Sequence, residues 1–116
     1  MKVNLKKLGE HEVVLPKSIA VQLDFVSIWG SEQTNRAQLG RLCAAAIAVG
    51  VDHAKCLPAY PVATGDPITF GFKCLDRLLD AGMTPAAIYE QGSAVLVEMM
   101  KNIPTEKDVE DTANFS

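Results

Sequence analysis

Apolar and polar residues alternate at the start of the chain in a way that predicts a short β-hairpin. Val3 and Leu5 alternate with polar neighbours, and a second apolar run covers residues 13–15. Between them the sequence Leu-Gly-Glu at 8–10 is typical of a turn. Pro16 ends the second strand, because proline has no amide hydrogen to donate to a neighbouring strand.

Four segments after the hairpin carry apolar residues at helical spacing, and each is bounded by residues that start or stop helices. They cover residues 17–29, residues 34–49, residues 67–81 and the segment that follows Thr84. Residues 103–116 are polar and acidic, so we expect a flexible acidic tail there. The sequence thus predicts a single mainly α domain over residues 1–102, a small four-helix domain with a short N-terminal β-hairpin.

The first predicted helix has a wide apolar face made of two neighbouring stripes. The stripes contain Ile19, Leu23 and Val26 on one side and Val21, Phe25, Ile28 and Trp29 on the other. Gly30 is placed to end this helix, because glycine often follows the last helical residue.

The second predicted helix begins at Thr34 or Asn35, whose side chains can accept a hydrogen bond from the first helical turn. Cys43 lies on the apolar face of this helix, next to a run of alanines that ends before Gly50. Small side chains let another helix approach closely. We therefore expect Cys43 to be a buried apolar residue.

The third predicted helix carries an apolar stripe at positions i, i+4, i+7 and i+11. The stripe consists of Ile68, Phe72, Leu75 and Leu79. Gly82 is placed to end this helix and Thr84 to cap the next, with Pro85 at a position where a missing amide hydrogen costs nothing. We predict an αα-hairpin with its tight corner at residues 81–85. Residues 51–67, with three prolines, are predicted to be a loop.

Composition narrows the class of protein. A chain of 116 residues with 22% charged residues and a net charge of −3 is typical of one globular domain. Positive charges are not clustered beyond Lys6 and Lys7, which argues against nucleic-acid binding. No apolar run approaches the roughly 18 residues of a membrane span, and the N-terminus lacks the apolar segment of a signal peptide. We expect a cytosolic protein whose three cysteines stay reduced.

Cys43, His53 and Cys56 are close enough in the sequence to suggest a metal site or a nucleophile. A structural zinc site needs four ligands in close pairs, and only His53 and Cys56 have that spacing, with Cys74 as a further candidate. A Cys56–His53 pair has no evident third group to orient the histidine. We interpret the cysteines as core thiols, His53 as a loop residue and His11 as a solvated turn residue. We expect no enzymatic activity, metal or cofactor.

The chain has more large apolar side chains than one helical seam needs, and methionine adapts well to irregular partners. Grooves rimmed by such residues commonly bind an amphipathic helix. The candidate partner-binding residues are Phe25, Ile28, Trp29, Tyr60, Phe70, Phe72, Met99 and Met100. The alternative, that these residues only fill the core, stays open, and Phe72 is the first candidate for a core position.

The predicted hairpin is followed, in order, by LPKSIAVQLDFV, NRAQLGRLCAAAIAVG, PAYPVATGDPITFGFKCLDRLLDAGMTP and VEDTANFS. This order of segments, over most of the chain, resembles the small tail assembly chaperones of long-tailed bacteriophages. The features shared with that family are an Ala-rich helix, a Tyr/Pro loop, a helix with the pattern G-x-x-x-x-D-x-L and a tail with a T-A-x-F pattern.

The resemblance implies a helical, non-enzymatic protein that acts in the host cytoplasm and is absent from the mature virion. Such chaperones coat the apolar, helical tape measure protein and help to recruit tail tube proteins around it. Many are made in two forms by ribosomal frameshifting, which would occur here near residues 105–116. Homo-oligomer formation is left open. The alternative function is a small phage-encoded helical adaptor or inhibitor that binds a host protein.

Overall fold

The computed structural model describes residues 1–29, 35–61 and 66–103. In chain order the elements are β1 (Lys2–Asn4), β2 (Glu10–Glu12), α1 (Ile19–Trp29), α2 (Arg36–Gly50), α3 (Pro67–Asp80) and α4 (Pro85–Asn102). Two short 3-10 turns cover Lys6–Leu8 and Asp52–Ala54. The predicted fold class, a mainly α four-helix domain with a short N-terminal hairpin, is confirmed.

The hairpin is shorter than predicted. β1 and β2 pair antiparallel with Val3 opposite His11, and the chain between them contains a 3-10 turn instead of a tight turn at 8–10. Residues 13–15 are not a strand, although the Val13 amide donates to the Met1 carbonyl at 2.8 Å. The Val14 amide donates instead to the Gly50 carbonyl, also at 2.8 Å, which attaches the hairpin to the end of α2.

The first helix buries only one of its two predicted stripes. Val21 and Phe25 are buried, whereas Ile19 and Leu23 are exposed. Gln22 is buried as well, and its side-chain amide donates to the Pro16 carbonyl at 2.8 Å. The predicted helix end at Gly30 lies outside the described residues.

Helix α2 is the central element of the fold. Asn35, one of the two predicted caps, caps the helix: its side chain accepts a hydrogen bond from the Gln38 amide, and the Gln38 side chain accepts one from the Asn35 amide. The other predicted cap, Thr34, lies outside the described residues. Every residue from Leu42 to Gly50 is buried, so the second half of the helix is enclosed on all sides. A helix that is apolar all round belongs in a protein interior. Gly50 was expected to follow the last helical residue, but it is itself the last residue of α2.

Two glycines bring the neighbouring helices into close contact with α2. A Cβ atom added to Gly71 of α3 would overlap the backbone carbonyl of Arg41, and one added to Gly92 of α4 would overlap Cys43. The predicted close approach at the small residues of α2 is therefore present on two sides. Cys43 is fully buried, as predicted.

At the corner between α3 and α4, the predicted helix-ending and helix-capping residues are confirmed, but the two helices do not pack against each other as predicted. Gly82 adopts φ 101°, a backbone conformation that favours glycine. The Thr84 side chain accepts a hydrogen bond from the Ala87 amide at 3.1 Å, with Pro85 as the first helical residue. The two helices have few direct contacts, because both pack against α2. The prediction of an αα-hairpin was therefore wrong, although the corner itself was correct.

The described residues share one apolar core that draws on the hairpin and all four helices. Ile103 caps the end of α4, and the remainder of the predicted tail at 103–116 lies outside the described residues. Within the described ranges, no helix combines the length and apolar content needed to cross a membrane.

Substituting alanine at three helical glycines tests the close packing around α2. We expect Gly71→Ala and Gly92→Ala each to lower the free energy of unfolding by about 2 kcal/mol or more, because overpacking outweighs the better helix propensity of alanine. Gly40→Ala is the matched control, since a Cβ at Gly40 meets nothing within 4 Å. Urea unfolding followed by circular dichroism measures the difference. Equal stabilities for all three variants would contradict the packing described here.

Candidate partner-binding surface

The eight candidate partner-binding residues fall into three groups. Phe25, Phe70 and Met99 are buried in the core, at 0%, 4% and 0% exposure. The argument from exposed apolar surface therefore does not apply to these three side chains. Ile28 and Trp29 are half-buried at the end of α1 and pack against the core.

Tyr60 belongs to an aromatic cluster that joins α1 to α3. Its ring centroid lies 5.2 Å from that of Phe25 and 5.3 Å from that of Phe70, both in tilted or edge-on geometry. Its hydroxyl donates to Asp24 Oδ2 at 3.1 Å. Burial, the hydrogen bond to Asp24 and the negative charge of that carboxylate together raise the pKa of the Tyr60 hydroxyl. Tyr60 therefore has a structural role that its place in a Pro-rich loop did not suggest.

Phe72 and Met100 are the two candidates that the structure displays, with 54% and 52% of each side chain exposed. The expectation that Phe72 was the first candidate for a core position was wrong. Phe72 is part of the apolar row predicted on the third helix, which we call the α3 stripe. The α3 stripe consists of Ile68, Phe72, Leu75 and Leu79.

The α3 stripe lies beside the face of α3 that packs on α2, because a different row of α3 is buried there. The buried row consists of Pro67, Phe70, Gly71, Cys74 and Leu78. In the α3 stripe, Phe72 and Leu79 are exposed, and Ile68 and Leu75 are half-buried. Helix α3 thus has two adjoining apolar rows, and only the row that contains Gly71 contacts α2 closely.

Arg41 of α2 covers one side of the α3 stripe. Its guanidinium carbon lies 5.0 Å from the centroid of the Phe72 ring, within the range of a cation–π interaction. Nothing in the sequence pattern pointed to this residue, because the contact joins two helices. The spacing of four, three and four residues along the α3 stripe was visible in the sequence. It resembles the a/d spacing with which one helix packs against another.

Other exposed apolar side chains are more scattered in the described part of the chain. They are Met1, Val14, Ile19, Leu23, Tyr89, Val97 and Met100. Ile19 and Leu23 lie one helical turn apart on α1, and Val97 and Met100 lie one turn apart on the face of α4 that also carries Tyr89. Each of these sets has fewer apolar side chains than the four of the α3 stripe. Single exposed apolar residues are normal on protein surfaces, whereas a continuous row is a sign of a binding site. The α3 stripe is therefore the candidate binding surface.

The histidines and cysteines do not form the pair considered from the sequence. His53 Nε2 contacts the Glu12 carbonyl at 2.7 Å, and Cys56 Sγ instead lies 3.9 Å from His11 Nε2. His11 is half-buried and contacts the Leu8 carbonyl at 2.6 Å, so the prediction of a solvated turn residue was wrong. Burial raises the pKa of the Cys56 thiol, which disfavours the reactive thiolate.

The two remaining thiols are buried in the helical core. Burial raises the pKa of Cys43, and it raises the pKa of Cys74 to about 12. Among residues 1–29, 35–61 and 66–103, no group of three or more His, Cys, Asp or Glu side chains could hold a metal ion.

An apolar groove of about 370 Å³ lies between the segment after β2 and the chain around residues 52–60. Val21 and Val49 are part of its lining, as are His53 and Tyr60. Ligand sites combine an apolar lining with a few polar groups that converge on the ligand. Here His53 Nε2 and the Tyr60 hydroxyl are both engaged by protein atoms, so this groove is a weaker candidate than the α3 stripe.

Comparison of the sequence with models of protein families, with curated proteins and with solved structures finds no match.

Tyr60→Phe tests the structural role of the aromatic cluster. At pH 7 we expect a loss of about 1 kcal/mol of stability, the usual contribution of one hydrogen bond. The raised pKa means that the folded protein keeps the Tyr60 proton at pH values where the unfolded chain releases it. This stabilisation is present below about pH 10 and is lost as the pH rises above that value.

Urea unfolding at pH 8 and pH 10.5, under reducing conditions, measures this dependence on pH. The wild type should lose more stability between the two pH values than Tyr60→Phe. Tyr89→Phe is the matched control, because the Tyr89 side chain is exposed. Equal losses in the wild type and Tyr60→Phe would show that the hydroxyl has no such role.

Proposed function

We propose that this protein is a non-enzymatic tail assembly chaperone of the kind found in long-tailed bacteriophages, and that its α3 stripe binds helical segments of the tape measure protein. The observation that carries the proposal is an apolar row at helical spacing, with Phe72 and Leu79 exposed and its other two members half-buried, on a helix that is otherwise firmly packed. The resemblance in segment order supplies the identity of the partner.

The geometry of the α3 stripe suits an amphipathic helical partner. Two helices that pack side by side use apolar residues at spacings of three and four, which is the spacing of Ile68, Phe72, Leu75 and Leu79. Helix α3 is fixed against α2 before any partner arrives. A binding surface that is ordered in advance loses less conformational entropy on association than a flexible one.

The physical task of such a chaperone is to cover apolar surface until assembly. A long apolar helix aggregates when it is unassembled, and a protein that binds its free form keeps it soluble by mass action. A row of four side chains offers a small contact area, so one copy binds weakly and many copies are needed along one long helix. Weak individual contacts also permit release when tail tube subunits take the place of the chaperone.

The proposal places the protein in the host cytoplasm during assembly and outside the mature virion. Met100 and the apolar residues of α1 lie outside the α3 stripe and remain available for tail tube subunits or for other copies of the chaperone.

Co-expression with a long helical tape measure protein, which the proposal expects to be encoded near this gene, tests the proposal. We expect that partner to become soluble and to co-purify with several copies of the chaperone. Phe72→Ser should reduce the soluble fraction several-fold, because it removes the most exposed anchor of the α3 stripe. Tyr89→Ser is the matched control, an equally exposed aromatic residue outside the α3 stripe.

Two outcomes would contradict the proposal. If the helical protein stays insoluble with the wild type, the protein is not its chaperone. If Phe72→Ser and Tyr89→Ser both behave like the wild type, the α3 stripe is not the surface that binds it.

A further inference from the structure

We infer that Arg41 gives the α3 stripe a preference for partner helices that carry carboxylates beside their apolar row. The inference rests on the proposed function and adds the chemistry of the partner. The partner is a helix that has apolar residues at spacings of three and four and Asp or Glu along one edge of that apolar row.

The position of Arg41 is fixed by the packing of α2 and α3. Gly71 approaches the Arg41 backbone so closely that no side chain fits between them. The Arg41 side chain then extends over Phe72, the most exposed anchor of the α3 stripe. A partner helix that covers Phe72 must therefore pass next to the guanidinium group.

The Arg41 guanidinium has no acidic partner within the described part of the chain. The ion pairs found in residues 1–29, 35–61 and 66–103 involve the N-terminal amine, Lys2 and Lys101. Arg41 is half-buried, and among the described residues its guanidinium forms a cation–π contact with the Phe72 ring and no side-chain hydrogen bond. A guanidinium offers five hydrogen-bond donors and pairs with carboxylates in a bidentate geometry, so its donors remain free for a partner.

The other edge of the α3 stripe has the opposite charge. Asp76 is exposed, and helical periodicity places it one turn after Phe72, on the side of the α3 stripe away from α2. A partner carboxylate is attracted to the Arg41 edge and repelled from the Asp76 edge. The charges therefore set which edge of the partner helix faces α2.

Two labelled synthetic helices serve as the probe. Both helices have 21 residues, with leucine at the a and d positions of three heptads and lysine at the outer positions. They differ only at the positions that flank the leucines, where one helix has glutamate and the other has glutamine. We expect the wild type to bind the glutamate helix about fivefold more tightly in fluorescence anisotropy at low salt, the scale of one partly exposed ion pair. The difference should shrink at 0.5 M salt, because salt screens the charges.

Arg41→Gln should abolish the preference for glutamate, and Arg41→Glu should reverse it. Arg36→Glu is the matched control, with the same change of net charge on the same helix but at an exposed position beside Leu39 and Tyr89. Circular dichroism of Arg41→Gln verifies that the fold is retained.

Several results would overturn the inference. Equal binding of the two helices, or a preference that survives in Arg41→Gln, removes Arg41 from recognition while the chaperone proposal stands. Binding of neither helix also overturns the inference, and the co-expression experiment then decides the proposed function separately. If the wild type sediments as a dimer that Phe72→Ser dissociates, a second copy of the chain occupies the α3 stripe instead.

Discussion

The packing of α3 and α4 against α2 is the constraint on which the rest of the structure depends. The second half of α2 is apolar on every side and needs cover all round, and Gly71 and Gly92 let two helices reach its backbone. Contacts this close are strongly directional, because a helix that packs through a glycine cannot rotate without placing a side chain in the interface. The choice of glycine therefore fixes the rotation of α3 about its own axis.

That rotation decides which surface the protein presents. Helix α3 has apolar residues on two adjoining rows, and α2 can cover only the row that contains Gly71. In the second row Phe72 and Leu79 stay in contact with water, which is unfavourable for an isolated protein and useful for one that binds helices. The net charge of −3 and the exposed Asp76 and Asp80 beside this row help to keep such a surface soluble.

Local signals in the sequence predicted local structure well. The four helices, the cap at Asn35 and the corner at Gly82 and Thr84 follow from periodicity and backbone chemistry that involve only near neighbours. Periodicity cannot say which of two apolar rows turns inward, and the row with the regular spacing is not the one that is buried most deeply. A phenylalanine contributes more apolar area than a glycine, yet Gly71 is buried and Phe72 is exposed, because the distance between helices is set by their backbones. The contacts of Tyr60 with Asp24 and of Cys56 with His11 join residues that are far apart in the sequence, so no local sequence pattern predicts them.

Arg41 connects stability to recognition at a single point. Its backbone forms the close contact with Gly71, and its side chain lies over Phe72 in the adjoining row. Because both contacts belong to one residue, any change in the distance between α2 and α3 also moves the charge relative to the apolar row. A helix that carries its own charge beside its anchors would need a flexible lysine or arginine to reach the partner. Here the charge comes from a neighbouring helix and is already held over the ring, so less side-chain entropy is lost when a partner carboxylate binds. The selectivity of the surface is thus a property of the helix pair and not of α3 alone.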